Sequence, residues 1–506
     1  MPVRRPLVSV LTVLLVASFV ANSRADQFDP VRARIHRAPT ERGIPSVAVA
    51  VARDGKILWE EGFGWADREN RRPANEHTMY SLASISKPIT ATGLMMLVQR
   101  GQIDLDKPIN DYLGDAKLVA RVGDAAGATV RRVANHSAGL PLHYQFFYAD
   151  QPFRRPPMDE TIRRYGNLVT PPGEHYQYSN LGYGVLDYAI ARTSGKSYVD
   201  FMREEVFLPL GMTHASIDIG PGLKEYEAVR YGPDGLPIPF YDFDHPGASA
   251  VYCSAHDLVR FGMFHVGDRQ PDQKQILNED SRKQMQVPSF DKSGGGGYGI
   301  GWGVEVDDRG YRRVSHSGGM GGVSTLLMMV PEQHVVVVAL VNSRSQLPPL
   351  LADQILRIVL PDPAPKTESP KKDPEKSAAA TGESDGKKAS EPKQGLQSLV
   401  GTWKGKVHTY HGEPQLTITV KDSGDVHVQL GYQLETLLSG AKFEDGWLRG
   451  VFAGDIGTED ANRTKYRLVL EAKLRGDKLC GSLVAQSTEA NRAGNALTQW
   501  VELKKD

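Results

Sequence analysis

Only two cysteines, Cys253 and Cys480, occur in 506 residues. They are too few and too far apart for a disulfide framework or a cysteine-rich metal site, so the fold must rest on its core. Neither sign of charge is in excess: 60 Lys plus Arg balance 60 Asp plus Glu. Without a net field there is nothing to draw the chain onto nucleic acid or an acidic membrane, and nucleic acid is excluded as a partner class. Beyond the N-terminus no apolar run reaches the roughly 20 residues that cross a bilayer, so no membrane span is expected in the mature chain. No His, Asp, Glu or Cys grouping has metal spacing, and no metal or other cofactor is called for. What the chain does have is length, enough for two or three domains of about 150 residues and for an enclosed cleft.

The first 25 residues stand apart. Arg4 and Arg5 precede an apolar run from Leu7 to Ala21, and Ser23-Arg24-Ala25 places small residues where a signal peptidase needs them. The expectation is a signal peptide over residues 1–25, cleaved before Asp26, and a secreted or periplasmic product; the other reading is an uncleaved anchor. From Pro361 to Gln394 the composition turns to Pro, Lys, Glu, Asp, Ser and Ala, with nothing apolar larger than Ala. Such a stretch cannot offset its ordering entropy by burial, so residues 361–394 read as a disordered linker between units at 28–360 and 395–506. Few contacts are expected to cross it, and the two units are expected to fold separately.

In the larger unit, apolar runs flank Asp54-Gly55, a hairpin signal, so Pro45 to Gly64 reads as two antiparallel strands. Ser84 to Gly101 reads as a helix with Pro88 in its first turn and Gly101 as its stop. Thr129–Asn135 and Asn180–Arg192 add helical pieces, Val304–Val306, Val323–Val330 and Val335–Val341 read as strands, and Leu350–Leu360 closes with a helix. Strands at both ends with a helical insert imply an α+β architecture in which the two ends share one antiparallel sheet. The smaller unit has short alternating segments, among them Leu416–Val420, Val426–Leu430, Leu448–Phe452, Tyr466–Glu471 and Leu479–Val484, and reads as an all-β barrel or sandwich.

Acyl transfer by a serine needs a nucleophile, a base and a place for the oxyanion. Ser84-Ile85-Ser86-Lys87 supplies the first two, because residues three apart share a helix face and a desolvated Lys87 amine can lose its proton. The same Ser-x-x-Lys spacing recurs at Ser289, Ser369, Ser384, Ser390 and Ser439. Only Ser84 opens an amphipathic helix behind a strand pattern.

The segment Tyr80 to Pro88 resembles the nucleophile segment of the serine β-lactamase-like family, which holds class C β-lactamases, D-alanyl-D-alanine carboxypeptidases, D-aminopeptidases and related esterases. Asn135-His136-Ser137-Ala138-Gly139-Leu140 resembles that family's His-Thr-Ser-Gly-Leu turn. Tyr178-Ser179-Asn180, preceded by Pro172-Gly173, resembles its Tyr-x-Asn signature, and Gly247 to Phe261 and Tyr298 to Trp302 resemble further segments. His316-Ser317-Gly318-Gly319 stands where the family has Lys-Thr-Gly or His-x-Gly. The resemblance implies a β-lactamase/transpeptidase-like antiparallel sheet flanked by helices, with a helical subdomain.

It also implies roles. Ser84 attacks a carbonyl, Lys87 and the Tyr178 phenol share the proton transfers, and Asn180 bonds the substrate amide. His316 orients substrate or shuttles a proton, with Ser317, Gly318 and Gly319 beside it and the oxyanion between the N–H groups of Ser84 and Gly319. Alternatives at Tyr165-Gly166-Asn167 and Lys292-Ser293-Gly294 lack the surrounding pattern. His136 reads as a buried structural histidine and Cys253 as an inert core thiol. The cluster His143, Tyr144, Phe146, Phe147 and Tyr148 either lines the cleft mouth or packs an ordinary loop. Gly401-Thr402-Trp403 resembles the start of lipocalin-like barrels, and some family D-aminopeptidases carry such barrels, which implies a domain that shapes access to the cleft.

An exported serine hydrolase acting through an acyl-enzyme on an ester, amide or D-amino-acid peptide is therefore expected, with a small-molecule or peptide as partner and the oligomeric state open. The rival is a catalytically silent penicillin-binding or ligand-sensing protein. His in place of Lys in the third signature tilts the expectation toward an esterase or D-aminopeptidase, because an imidazole with a reference pKa of about 6.5 holds only part of its charge at neutral pH.

Overall fold

A computed structural model of the chain describes residues 26–292, 296–360, 395–461, 466–487, 492 and 494–506. The signal peptide and linker read from the sequence, together with Ser369, Ser384, Ser390, Ser293 and Gly294, lie outside them. The elements that frame the larger unit are α1 (Asp29–Arg42), β1 (Ser46–Arg53), β2 (Lys56–Asp67), α2 (Ser86–Gln99), α3 (Asn180–Ser194), α4 (Ala255–Val266), β3 (Gly303–Val306), β4 (Arg312–Met320), β5 (Val323–Val330), β6 (Val335–Val341) and α5 (Leu347–Val359).

One antiparallel nine-stranded sheet runs in the order 290–292, 296–298, β3, β4, β5, β6, β1, β2, 72–73. The two ends of the unit meet in it, since β1 pairs with β6 from Val47↔Val341 to Arg53↔Val335. Asp54 and Gly55, with φ of 50° and 75°, make the tight β1–β2 hairpin that their dipeptide predicts. Both faces of the sheet are covered, which is why β6 is apolar throughout. In β1, Val47, Val49 and Val51 pack toward Phe28, just before α1, Val31 and Ile35 of α1 and Leu351 and Ile355 of α5. Alternate positions hold Ala48, Ala50 and Ala52, small residues on the face where α4 lies close. A helical region carrying α3 is inserted between α2 and α4.

The smaller unit has β7 (Gly401–His408), β8 (Gln415–Val420), β9 (Val426–Leu430), β10 (Thr436–Leu437), β11 (Ser439–Glu444), β12 (Trp447–Ala453), β13 (Tyr466–Arg475), β14 (Lys478–Ser487) and β15 (Ala496–Lys505). They run antiparallel in the order β10-β9-β8-β7-β15-β14-β13-β12-β11, a nearly closed barrel whose outermost strands are consecutive in the chain. Trp403 is buried near the barrel's start and its indole N–H donates to the Leu399 carbonyl at 2.8 Å.

The expectation of few contacts between the units is overturned. Tyr144 and Ala496 exchange both backbone hydrogen bonds, N–H to O at 3.0 and 2.9 Å, and the Phe146 N–H donates to Asn495 Oδ1 at 2.8 Å. Glu174 pairs with Lys473 and Arg475, and Arg492 grips Asp150 with two hydrogen bonds. The Tyr165 hydroxyl bonds the buried Asp460 carboxylate, which also accepts from the Tyr410 hydroxyl at 3.0 Å. The linker's polarity describes the tether alone; the docking residues are scattered through both units and leave no local pattern.

Candidate active site

Ser84 reaches the cleft through two devices. The short strand Tyr80–Ser81 pairs with Val251–Cys253, and Leu82 is then held from both sides, its N–H donating to Val251 O and its carbonyl accepting from Thr325 Oγ1, each at 2.8 Å. Next, Ala83 adopts φ of +49°, a left-handed conformation that costs a residue with a Cβ roughly 1–2 kcal/mol. Such strain persists only where its surroundings enforce it. Ser86 Oγ does so here, donating to Ala83 O at 2.7 Å and accepting from Val251 N–H at 3.0 Å. The helix expected from Ser84 is accordingly divided: Ala83–Ile85 is a 3-10 turn and the α-helix begins at Ser86.

Lys87 follows in the first turn of α2 with no exposed surface. Its Nζ lies 3.0 Å from Ser84 Oγ, 2.7 Å from Asn180 Oδ1 and 3.1 Å from the Ala248 carbonyl oxygen. None of these partners is anionic, and burial holds the amine's pKa well below the usual lysine value. A neutral amine has two N–H groups and one lone pair. The two carbonyl oxygens take the N–H groups, and the lone pair is left for the Ser84 hydroxyl.

Tyr178 stands over the same amine, with Nζ 4.8 Å from its ring centroid, and its phenol hydrogen-bonds Ser84. Burial pushes its pKa up, more than the Ser84 hydrogen bond lowers it, so it is a phenol rather than a phenolate. Two contacts fix Tyr178-Ser179-Asn180. Ser179 caps α3, its Oγ accepting from Gly182 N–H at 3.2 Å, and its own N–H donates to His136 Nδ1 at 3.2 Å. The buried His136 ring lies 4.4 Å from that of Tyr178 and 4.8 Å from that of Tyr298, in the structural place read for it. Cys253 is a buried thiol with its pKa raised by burial, as an inert core cysteine should be.

The opposite wall is β4. Gly318 is a necessity there, because a Cβ on it would lie 2.1 Å from Leu82 O and 2.2 Å from Thr325 Oγ1. Its absence lets β4 close onto the Ser84 turn. His316 is 8 % exposed, with Nδ1 at 2.7 Å from Ser317 O and Nε2 at 2.9 Å from the Tyr298 hydroxyl. Both ring nitrogens are therefore engaged, which the sequence pattern did not convey.

A cleft of about 1090 Å³ is lined by Ser84, Tyr178, His316, Ser317, Gly318 and Gly319. An adjoining cavity of about 370 Å³ shares Ser84, Gly319 and Arg344 with it and adds Asn180, Tyr144, Phe146 and, from the barrel, Arg492 and Gly494. Seven of the eight predicted site residues thus line these cavities, and Lys87 sits directly behind Ser84. Tyr144 and Phe146 do reach the cleft mouth, whereas His143 is buried against Asp244 at 2.7 Å. The competing motifs go elsewhere: Tyr165 faces the barrel, Ser289 Oγ accepts from Asn135 Nδ2 at 2.9 Å and Ser439 lies on β11. Sequence reasoning missed the Ala248 carbonyl, since a backbone acceptor has no residue signature, and Arg344, which belongs to no motif. Among the described residues no group of three or more His, Cys, Asp or Glu is placed to hold a metal ion, and no helix is long and apolar enough to cross a membrane.

Comparison with known proteins gives the family and the fold. The family profile described as Beta-lactamase matches residues 31–360. Penicillin-binding protein 4* of Bacillus subtilis (strain 168) is 28 % identical over 316 residues, 58 % of this chain and 67 % of that protein. Protein flp of Staphylococcus aureus (strain N315) is 25 % identical over 62 % of each chain, so this chain spans about two thirds of the length of such relatives. Among solved structures, the octameric penicillin-binding protein homologue from Pyrococcus abyssi aligns over 94 % of this chain and 99 % of its own at 22 % identity and a TM-score of 0.57. SurE aligns over 93 % and 99 % at 21 % identity and a TM-score of 0.59. These two likenesses extend the shared fold through the barrel.

Proposed function

Because the chain belongs to the β-lactamase family, we propose that it is an exported serine hydrolase that cleaves an ester, an amide or a D-amino-acid peptide through an acyl-enzyme. The observation that carries the reading is the buried Lys87 amine, held by two carbonyl oxygens with its remaining position toward Ser84 Oγ. Ser84 Oγ attacks the acyl carbonyl as its proton passes to Nζ. The oxyanion that forms is held between the N–H groups of Ser84 and Gly319, donors already fixed before reaction. Collapse of the tetrahedral intermediate expels the leaving group, which takes a proton through the Tyr178 phenol. Water then hydrolyses the ester on Ser84 by the same groups in reverse order. The Asn180 side-chain amide, with its oxygen bound to Lys87, offers its N–H₂ to the substrate.

D-Amino-acid peptides are included because SurE, similar to this chain over 95 % of its length, has been solved with D-Leu. A penicillin-binding role without turnover would use the same first step. A panel of p-nitrophenyl esters, a chromogenic cephalosporin and D-alanine p-nitroanilide, with Ser84→Ala as control, tests the proposal. Turnover of at least one, lost in the variant, is expected; a stoichiometric burst with every substrate and no turnover would favour the silent binder.

A further inference from the structure

The cavity that adjoins the cleft carries a histidine that the proposed reaction does not use. His245 is 1 % exposed and lines that cavity together with Ser84, Asn180 and Gly319. The segment behind it is pinned, Gly247 donating its N–H to Asp187 Oδ2 and accepting from Thr90 Oγ1, each at 2.6 Å. Beside it lies the buried Asp244, whose Oδ1 accepts from His245 Nδ1 and from the Gln145 N–H at 2.9 Å, and whose Oδ2 accepts from His143 Nε2 at 2.7 Å. Burial raises the pKa of the Asp244 carboxyl, but the imidazoles of His245 and His143 lower it by more, so the group is a carboxylate. A carboxylate only accepts, which fixes the His245 proton on Nδ1 and leaves the lone pair on Nε2. Among the described residues Nε2 has no hydrogen-bond partner, and it is not sealed in the interior as His143 Nδ1 is. Burial holds the His245 ring's pKa below the usual histidine value, against the pull of Asp244, so the ring is neutral at pH 7 and able to take a proton.

The two cavities divide the site. Tyr178 and His316 line the large cleft, His245 lines the adjoining cavity, and Ser84 and Gly319 belong to both. An acyl group on Ser84 Oγ with its carbonyl oxygen at Gly319 therefore faces both spaces. We propose that His245 is a further catalytic residue, the general base for a water that enters from the adjoining cavity and hydrolyses the acyl-enzyme. This rests on the acyl-enzyme reading and adds a second hydrolytic route beside the reversal of acylation. The water gives one proton to Nε2 as its oxygen bonds the acyl carbon. When the tetrahedral intermediate collapses, the C–Oγ bond breaks and that proton passes from Nε2 to Ser84 Oγ. The acyl group leaves as an acid, and both residues return to their starting state. Between the two transfers the Asp244 carboxylate stabilises the imidazolium and holds its ring in place.

The test separates the two half-reactions with p-nitrophenyl butyrate, reading acylation from the burst of p-nitrophenol and deacylation from intact-protein mass spectrometry of quenched samples. His245→Asn suits it, because the Asn amide N–H can stand where Nδ1–H stood and keep the bond to Asp244 while Nε2 is lost. The ratio of deacylation to acylation rate should fall on the order of 10- to 100-fold, less than the full worth of a positioned base because the reversed route remains. Asp244→Asn keeps the shape and removes the charge that stabilises the imidazolium, so it should lower the same ratio, and it decides the matter if thermal scans show His245→Asn to be unfolded. An unchanged ratio in the folded variants would overturn the base, and so would acylation slowed as much as deacylation. Failure of the acyl-enzyme reading looks different: the wild type itself then forms no adduct on Ser84, and the second route falls with it.

Discussion

Replacing Lys87 by Met removes the amine while keeping the chain's length and most of its volume in a fully buried position. The structure says what is lost. Nζ is 3.0 Å from Ser84 Oγ, and among the described residues the other group on that oxygen with a proton to exchange is the Tyr178 phenol. A positioned acid–base group contributes roughly 10²–10⁴ in rate, which at 1.36 kcal/mol per tenfold is about 3–5 kcal/mol of transition-state stabilisation. Lys87→Met and Tyr178→Phe should each lower the acylation rate by that order. Because both act on one proton of one oxygen, the double variant should be hardly slower than the worse single one, where independent contributions would multiply to about 10⁴–10⁸. Single-turnover acylation with a fluorogenic ester measures all four proteins, and thermal scans confirm that each is folded. A Lys87→Met protein that acylates at nearly the wild-type rate, or a double variant slowed by the product of the single effects, would refute the shared proton-transfer unit.

Gly318→Ala should lower kcat by about 10²–10³, the value of an oxyanion donor, because its Cβ would collide with Leu82 O and drive β4 from Ser84; steady-state kinetics on a neutral ester checks it. Asp187, buried with its carboxylate accepting from Gly247 N–H at 2.6 Å, has its pKa raised by burial to about 8. Between about pH 4 and 8 the folded chain keeps a proton there that the unfolded chain has released. Wild-type stability relative to Asp187→Asn should therefore fall as pH rises through that window, by up to about 1.4 kcal/mol per pH unit, and denaturant titrations at several pH values read it. Asp460→Ala should cost roughly 2–3 kcal/mol by stranding the Tyr165 hydroxyl at the unit boundary, seen as a lower Tm. A chain ending at Leu360 should likewise melt below the full protein, and an unchanged Tm would show that the docked barrel adds nothing.

Local chemistry was readable and non-local chemistry was not. Asp54-Gly55, the alternation along β1 and the apolar run of β6 each state their conformation within a few residues, and the pairing of β1 with β6 follows from both being buried on two faces. Ser84, Lys87 and Tyr178 were legible because their motifs carry spacing. The left-handed turn at Ala83 was not, since nothing about an alanine announces positive φ; it is imposed by Ser86 and by the strand 251–253. Helix α1 escaped notice because its sequence is dominated by polar and charged residues, with Val31, Ile35 and Ala38 among those buried against the sheet. The first and last barrel strands of the chain, β7 and β15, are interrupted by polar residues and pair with each other in the middle of the strand order. Docking between the units hangs on single side chains such as Glu174, Tyr165 and Asp150, whose partners lie hundreds of positions away.

The central claim is that Ser84 becomes acylated. Intact-protein mass spectrometry after treatment with a fluorophosphonate or benzylpenicillin, followed by peptide mapping, tests it most directly. One adduct per chain on the peptide containing Ser84, absent from Ser84→Ala, is the predicted result. An adduct on Ser289 or Ser439, or none with any acylating probe, would contradict it.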